Sequence, residues 1–278
     1  MKRTITVSAS FGGKISTGQY ENSSPFFAAS EVIEVDYDMD AVADAFIRQR
    51  QKDLQEICVG NFEAEAVRAK LAKIRADRKD FRWYGDYPSV TSILGYDTDF
   101  VKSEDEMKQY AAQGTIIHAQ VAHFVKTGEW KQPMELEGIG AEIFIIKTGS
   151  LGLSLDGWDF PAMVKKYKVT DMANGREVVS KKHAYGGTPD LSTCLLDGVK
   201  TLPDIKRTPD KVKNFQQMAA YEMAQRENGM EPNEQIAIFP INDKTEQGFS
   251  KPIVTKEIDK YFELFLYKRK EFQKVYGI

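Results

Sequence analysis

Apolar and polar residues alternate over residues 4–8, and a second extended run covers residues 26–35, with Gly12-Gly13 as a turn signal between them. From residue 38 to about 59 the period lengthens. Val42, Ala43, Phe46, Ile47, Leu54 and Ile57 fall at helical spacing. Asn61 is a candidate N-cap for a second helix to about residue 78, with Glu63 and Glu65 near its positive end. A charged and aromatic stretch, residues 79–87, precedes Pro88, and a module boundary falls there. Residues 1–86 form a small α+β N-terminal module, and residues 87–278 form the main domain.

In the main domain, Ser103 is the expected cap of a helix with Glu104, Asp105 and Glu106 in its first turn. Residues 114–126 are helical and carry His118, which shares a face with Gly114 and Ala122, small residues that permit close approach to a neighbouring layer. Further helices are expected over residues 137–148 and 158–166, and a strand over residues 176–182. Gly186-Gly187 reads as a turn. Leu191–Leu196 and residues 199–205 flank Asp197-Gly198, the chemistry of a tight antiparallel hairpin. Thr208, Pro209 and Asp210 are expected as N-cap, first position and first turn of a helix that ends near Asn228 at Gly229. Strands over Gln235–Pro240 and residues 251–255 follow. A C-terminal helix from about Lys256 carries Tyr261, Phe262, Leu264, Phe265 and Tyr267 as packing residues. The whole reads as an α/β fold, a central mixed sheet flanked by helices.

Composition narrows the function classes. The chain has 278 residues, enough for a substantial core, and its 42% hydrophobic and 28% charged residues are ordinary for a globular protein. A formal charge of −3 gives no global attraction to nucleic acid, so any such affinity must come from a local basic patch or from metal ions. Cys58 and Cys194 are too far apart in sequence to suggest a disulfide framework or a zinc site. The N-terminus lacks the apolar core of a signal peptide, and no run approaches the roughly 20 apolar residues of a membrane span. A cytoplasmic location without membrane attachment is expected. No G-x-x-x-x-G-K-[ST] occurs, so no ATP motor is expected.

The candidate chemistry lies at the hairpin. Side chains alternate along a strand, so Asp204 and Lys206 share a face while Ile205 enters the opposite layer, and Asp190 opens the neighbouring strand within reach of that face. Two carboxylates are hard ligands for Mg²⁺ or Mn²⁺, and an ammonium beside them can offset charge on a phosphate. A solvated Asp/Lys pair on a surface hairpin is the plain alternative. Pro203 has no N–H for a ladder, so a central strand here implies a local break in pairing.

G-G-T-P-D over residues 186–190, D-I-K over residues 204–206 and Gln217-x-x-x-Tyr221, with Gly114-x-x-x-His118 and P-S-V-T upstream, together resemble the PD-(D/E)XK nuclease superfamily. The likeness is greatest to its RecB-type branch of phage and mitochondrial genome maintenance exonucleases. It covers about residues 87–221. The resemblance implies a metal-dependent DNA exonuclease acting in phage or cellular recombination, repair or replication, in the host cytoplasm if phage-encoded. It implies His118, Asp190 and Asp204 as ligands of one or two Mg²⁺ or Mn²⁺ ions, and Asp190, Asp204 and Lys206 as the catalytic set. Gln217 and Tyr221 become the trailing helical motif that braces substrate. Arg207, Lys211 and Lys213 cluster where a DNA backbone would lie, and a recombination or replication protein is an expected partner. The iron–sulfur cluster of some RecB-type nucleases needs four cysteines, and two cannot supply it. A structure-specific endonuclease and a non-catalytic nucleic-acid-binding subunit on the same fold are the alternatives.

Overall fold

The computed structural model describes residues 2–13, 15–16, 22–36, 40–97, 104–135, 158–207, 209–242 and 244–278. The chain divides into two compact units, Met1–Asp80 with Gln273–Ile278, and Phe81–Phe272.

The first unit contains strands β1 (Lys2–Gly12), β2 (Ile15–Ser16), β3 (Asn22–Ser23) and β4 (Phe26–Asp36), then helix α1 (Asp40–Asp77). β1 and β4 pair antiparallel along their full length. Alternation sends Val7, Ala9 and Ile33 to one face, where they form a small core with Leu54 of α1. α1 is one continuous helix of 38 residues, not two. Asn61 therefore lies inside it and caps nothing. Gly60 costs roughly 1 kcal/mol there relative to Ala, and the Ala-, Glu-, Lys- and Arg-rich sequence beyond it carries the helix through.

The second unit opens with β5 (Trp83–Tyr84), β6 (Tyr87–Pro88), α2 (Val90–Gly95) and α3 (Glu104–Thr127). It continues with α4 (Phe160–Lys166), β7 (Val169–Asn174), β8 (Val178–Ser180), β9 (Tyr185–Gly187), β10 (Leu191–Leu196) and β11 (Val199–Lys206). α5 (Lys211–Glu227), β12 (Gln235–Pro240), β13 (Ile253–Thr255) and α6 (Ile258–Tyr276) complete the chain. The expected cap Ser103 and the expected helix over residues 137–148 lie outside the described residues.

The architecture is a five-stranded mixed sheet with flanking helices, strand order β13-β12-β11-β10-β7. Only β11 and β12 are parallel, and α5 is the crossover between them. On one face Ile116, Val121, Phe160 and Met163 pack against Cys194, Leu196, Ile205, Ala237 and Phe239. On the other, α5 packs on β11 and β12. β12 is buried at every position, as a strand covered on both faces must be. Both central residues of the β10–β11 turn take positive φ, 48° at Asp197 and 83° at Gly198, the geometry that matches strand twist in a two-residue hairpin.

Several expectations shift. No sequence signal marks the edge strand β7, Val-Thr-Asp-Met-Ala-Asn. The strand expected over residues 176–182 shrinks to β8, which pairs with β9 outside the central sheet. Gly186-Gly187 belongs to β9 rather than to a turn. α5 is capped by Asp210, whose carboxylate accepts the Lys213 N–H at 3.1 Å, so Pro209 precedes the cap; Thr208 lies outside the described residues. α6 buries the stripe Ile258, Phe262, Phe265, Arg269 and Phe272, which leaves Leu264 and Tyr267 on the solvent side. No helix among the described residues is long and apolar enough to cross a membrane.

A polar cluster ties α5 to the sheet. The Glu222 carboxylate is fully buried and accepts from Arg226 Nε at 2.8 Å, Asn233 N at 2.9 Å and Asn233 Nδ2 at 2.7 Å. Asn233 Nδ2 also donates to the Ser192 carbonyl at 3.2 Å, and Asn233 Oδ1 accepts from Thr193 Oγ1 at 2.7 Å. Asn233→Ala strips donors from a buried carboxylate and a buried carbonyl. It is expected to destabilise the protein by about 2–4 kcal/mol in urea unfolding; a loss under about 0.5 kcal/mol would show the cluster to be incidental.

Candidate active site

The site begins where two strands part. β10 and β11 pair only from Leu196↔Val199 to Cys194↔Thr201. Continued, that register sets Ser192 opposite Pro203 and Asp190 opposite Ile205. Main-chain N–H groups alternate sides along a strand, and β11 uses one side for β12, so residues 203 and 205 face β10. Proline offers no N–H at the first position, and the ladder opens there. At the second, the Ile205 N–H donates to Asp190 Oδ2 at 2.9 Å. A side-chain carboxylate thus stands in for a strand carbonyl. β11 is central, and Pro203 breaks its pairing on one side only.

Three glycines make this placement sterically feasible. A Cβ on Gly175 would lie 1.6 Å from the Pro189 carbonyl oxygen, and the Gly175 N–H donates to the Asp190 carbonyl at 3.1 Å. A Cβ on Gly186 would lie 2.5 Å from Tyr84 Cβ, and one on Gly187 would lie 2.2 Å from the Tyr221 ring. The glycine pair therefore admits two aromatic side chains against β9. Gly114 has no such duty: a Cβ there would meet nothing within 4 Å, so the close approach expected beside His118 is not made. α3 is instead tied to the end of β7 by Asn174 Nδ2, which donates to the Ala122 carbonyl at 3.1 Å, one turn from His118.

His118, Asp190, Asp204 and Lys206 come together. His118 Nδ1 lies 3.3 Å from Asp190 Oδ1, and Lys206 Nζ lies 2.8 Å from Asp204 Oδ2. The Lys206 ammonium is the close partner of the buried Asp204 Oδ2. Asp204 is 1% exposed. Burial, followed by the neighbouring Asp190 charge, pushes its carboxyl up to about 7 against the opposing pull of Lys206. Burial acts to lower the Lys206 ammonium, but Asp204 and Asp190 outweigh it and hold the group above its usual value. His118 is held below its usual value by burial, with Lys206 and Arg82 adding repulsion against the attraction of Asp204. Half of that side chain is open to solvent (50%), so its desolvation is partial.

Gln217 and Tyr221 also join the group. Gln217 Nε2 donates to the Tyr221 hydroxyl at 3.1 Å. Burial, reinforced by the charges of Asp204 and Asp190, drives the Tyr221 phenol well above its usual value, so it stays protonated. Arg207, Lys211 and Lys213 lie on the connection from β11 into the first turn of α5 and are not part of the carboxylate cluster. Tyr84, Arg82 and Gly175 were missed by sequence reasoning. Asn174-Gly175 carries only a turn signal, and nothing local marks the other two.

Among the described residues, no three His, Cys, Asp or Glu side chains stand as a ready ligand group for a metal. Asp190 and Asp204 still fit a divalent cation. They offer hard oxygens, Asp204 is almost fully buried, and the Asp190 charge raises the cost of ionising it. His118 adjoins them with a ring held toward its neutral form.

The raised Asp204 carboxyl makes a stability prediction. Its folded value of about 7 exceeds the ordinary 3.8, so the folded state binds the proton more tightly, and stability falls as pH rises from about 4 through about 7. In EDTA, Asp204→Asn, which cannot ionise, should be more stable than wild type at about pH 8, by on the order of 2 kcal/mol, and should converge with it near about pH 4. Melting curves across this range test it; an Asn variant that melts lower at about pH 8 contradicts it.

No family model matches the chain, and no curated protein matches it in sequence.

Proposed function

We propose that this chain is a divalent-metal-dependent DNA nuclease with a PD-(D/E)XK-type core, acting as an exonuclease of the RecB-type branch. The observation that carries the reading is the Asp190 carboxylate bonded to the Ile205 N–H at the split between β10 and β11, near enough to Asp204 for its charge to be felt there, with the Lys206 ammonium 2.8 Å from Asp204. The order of these residues, the mixed sheet beneath them and the hydrogen-bonded Gln217–Tyr221 pair on the following helix add support.

Asp190 and Asp204 would hold one or two Mg²⁺ or Mn²⁺ ions, with His118 as an adjoining nitrogen donor. When bound, such an ion lowers the pKa of a water molecule and neutralises charge on a phosphate. The protein's own groups do the rest. The two aspartates keep Lys206 charged in a largely buried setting, where it can orient the attacking water and offset charge gathering on the phosphate oxygens. Asp190 is held rigid by its bond to the β11 main chain. Tyr221, locked over Gly187 and bonded to Gln217, walls the site and presents a protonated hydroxyl. Arg207, Lys211 and Lys213 continue the positive surface along the path of the substrate backbone. A role in phage or cellular recombination, repair or replication follows from this reading, with a protein of that machinery as partner.

The test is digestion of end-labelled single- and double-stranded DNA by the purified chain in Mg²⁺, Mn²⁺ or EDTA, with circular DNA alongside. Cleavage from ends is expected with either metal and none in EDTA, and Asp204→Ala and Lys206→Ala should each lose activity by about 100-fold or more. Absence of cleavage with both metals, or variants as active as wild type, overturns the proposal. Equal cleavage of circles points to an endonuclease.

A further inference from the structure

We infer that Arg82 and Tyr84 form a substrate-binding wall of this site, Arg82 taking a phosphate beside the scissile one and Tyr84 packing against the adjoining nucleoside of a single DNA strand. The inference rests on the nuclease reading and adds to it two residues outside the motif set.

The geometry starts with the short β5–β6 hairpin, whose turn is closed by Gly85 at φ 58°. Its main chain is fully engaged at Arg82. The Arg82 N–H donates to Ser92 Oγ at 2.8 Å, and the Arg82 carbonyl accepts the Ser89 N–H at 2.8 Å. Ser89 is bridged in turn to Gly186 of β9 and caps α2 by accepting the Ser92 N–H. The hairpin is therefore bound to the same strand that leads into Asp190.

Side chains two apart in an extended segment share a face, so Arg82 and Tyr84 point the same way. That way is the site. The Tyr84 side chain lies on Gly186, and its hydroxyl sits 3.1 Å from Thr188 Oγ1, two residues before Asp190. The Arg82 guanidinium is close enough to His118 for its charge to be felt there. Arg82 is exposed and Tyr84 half-buried, so both keep surface for a ligand.

The chemistry suits a polyanionic strand. An exposed guanidinium presents a fork for phosphate oxygens. A tyrosine presents a ring for a base or sugar, tolerant of sequence because every base has a π-face. A guanidinium has no lone pair for a metal and the Tyr84 hydroxyl is engaged with Thr188, so both would act on substrate beyond the reacting phosphate.

The test compares wild type with Arg82→Ala, Arg82→Lys, Tyr84→Ala and Tyr84→Phe. It uses a labelled single-stranded oligonucleotide for cleavage and, in Ca²⁺, for binding by fluorescence anisotropy. It uses bis(p-nitrophenyl) phosphate as a small diester with no neighbouring phosphate or nucleoside. Arg82→Ala and Tyr84→Ala are each expected to raise KM and Kd for the oligonucleotide about 10-fold, with small-diester hydrolysis within about twofold of wild type. The log Kd against log salt slope should flatten by about 0.7 in Arg82→Ala and be kept in Arg82→Lys. Tyr84→Phe should bind like wild type. If wild type cleaves the oligonucleotide and both Ala variants match it in KM, Kd and salt slope, the wall is wrong and the nuclease reading stands. If wild type cleaves neither substrate but binds with an Arg82-dependent slope, the wall stands and the nuclease reading falls. If it neither binds nor cleaves, both fall.

Discussion

The Asp190 carboxylate bonded to the Ile205 N–H is the interaction on which the rest of the site depends. A central strand normally satisfies its main chain on both sides. On its β10 side β11 does so only as far as Thr201, and beyond that point the ladder is open. The price is an exposed ladder position, and a carboxylate fills it. One oxygen of Asp190 becomes part of the sheet while the other faces His118 and the neighbouring Asp204. Pro203 prevents β10 from closing the gap. Gly175 lets the Pro189–Asp190 main chain lie close enough to reach across it. Asn233, reaching from the turn before β12, takes the Ser192 carbonyl that the gap leaves open.

This arrangement sets acidic groups where folding alone would not. Asp204 is almost fully buried beside a second carboxylate, and a single ammonium answers both. Without a further positive charge, the folded state carries a strain that an amide at position 204 would relieve. The Glu222 cluster on α5 shows the contrast. That carboxylate is equally buried but receives hydrogen bonds from Asn233 and Arg226, and it serves only to hold α5 on the sheet.

Much of the sheet was legible because its signals are local. Asp197-Gly198 between apolar runs gives a two-residue hairpin, and both residues take the positive φ that this turn requires. β12 is a continuous apolar run and Gly229 ends α5 as expected. The pairing of Asp204 with Lys206 follows from strand alternation, and that of Gln217 with Tyr221 from helical spacing. What was not legible depends on contacts distant in sequence. β7 has a polar, irregular sequence with Asp171 at φ 50°, and only its pairing with β10 makes it a strand. Gly60-Asn61 looks like a helix stop and restart, yet no backbone break occurs there. Gly186-Gly187 looks like a turn because the two rings that need the space come from β5 and α5. Tyr84 enters the site through that same space, so no pattern around residue 84 could announce it.

The most direct test of the carboxylate pair as a cation site is the anomalous scattering of a crystal of the wild-type protein grown or soaked with Mn²⁺. The account predicts a Mn²⁺ peak in contact with both Asp190 and Asp204, lost in Asp204→Asn crystals treated alike. A fully occupied Mn²⁺ bound elsewhere on the chain, with the two aspartates still holding only His118, Lys206 and the Ile205 N–H, would contradict it.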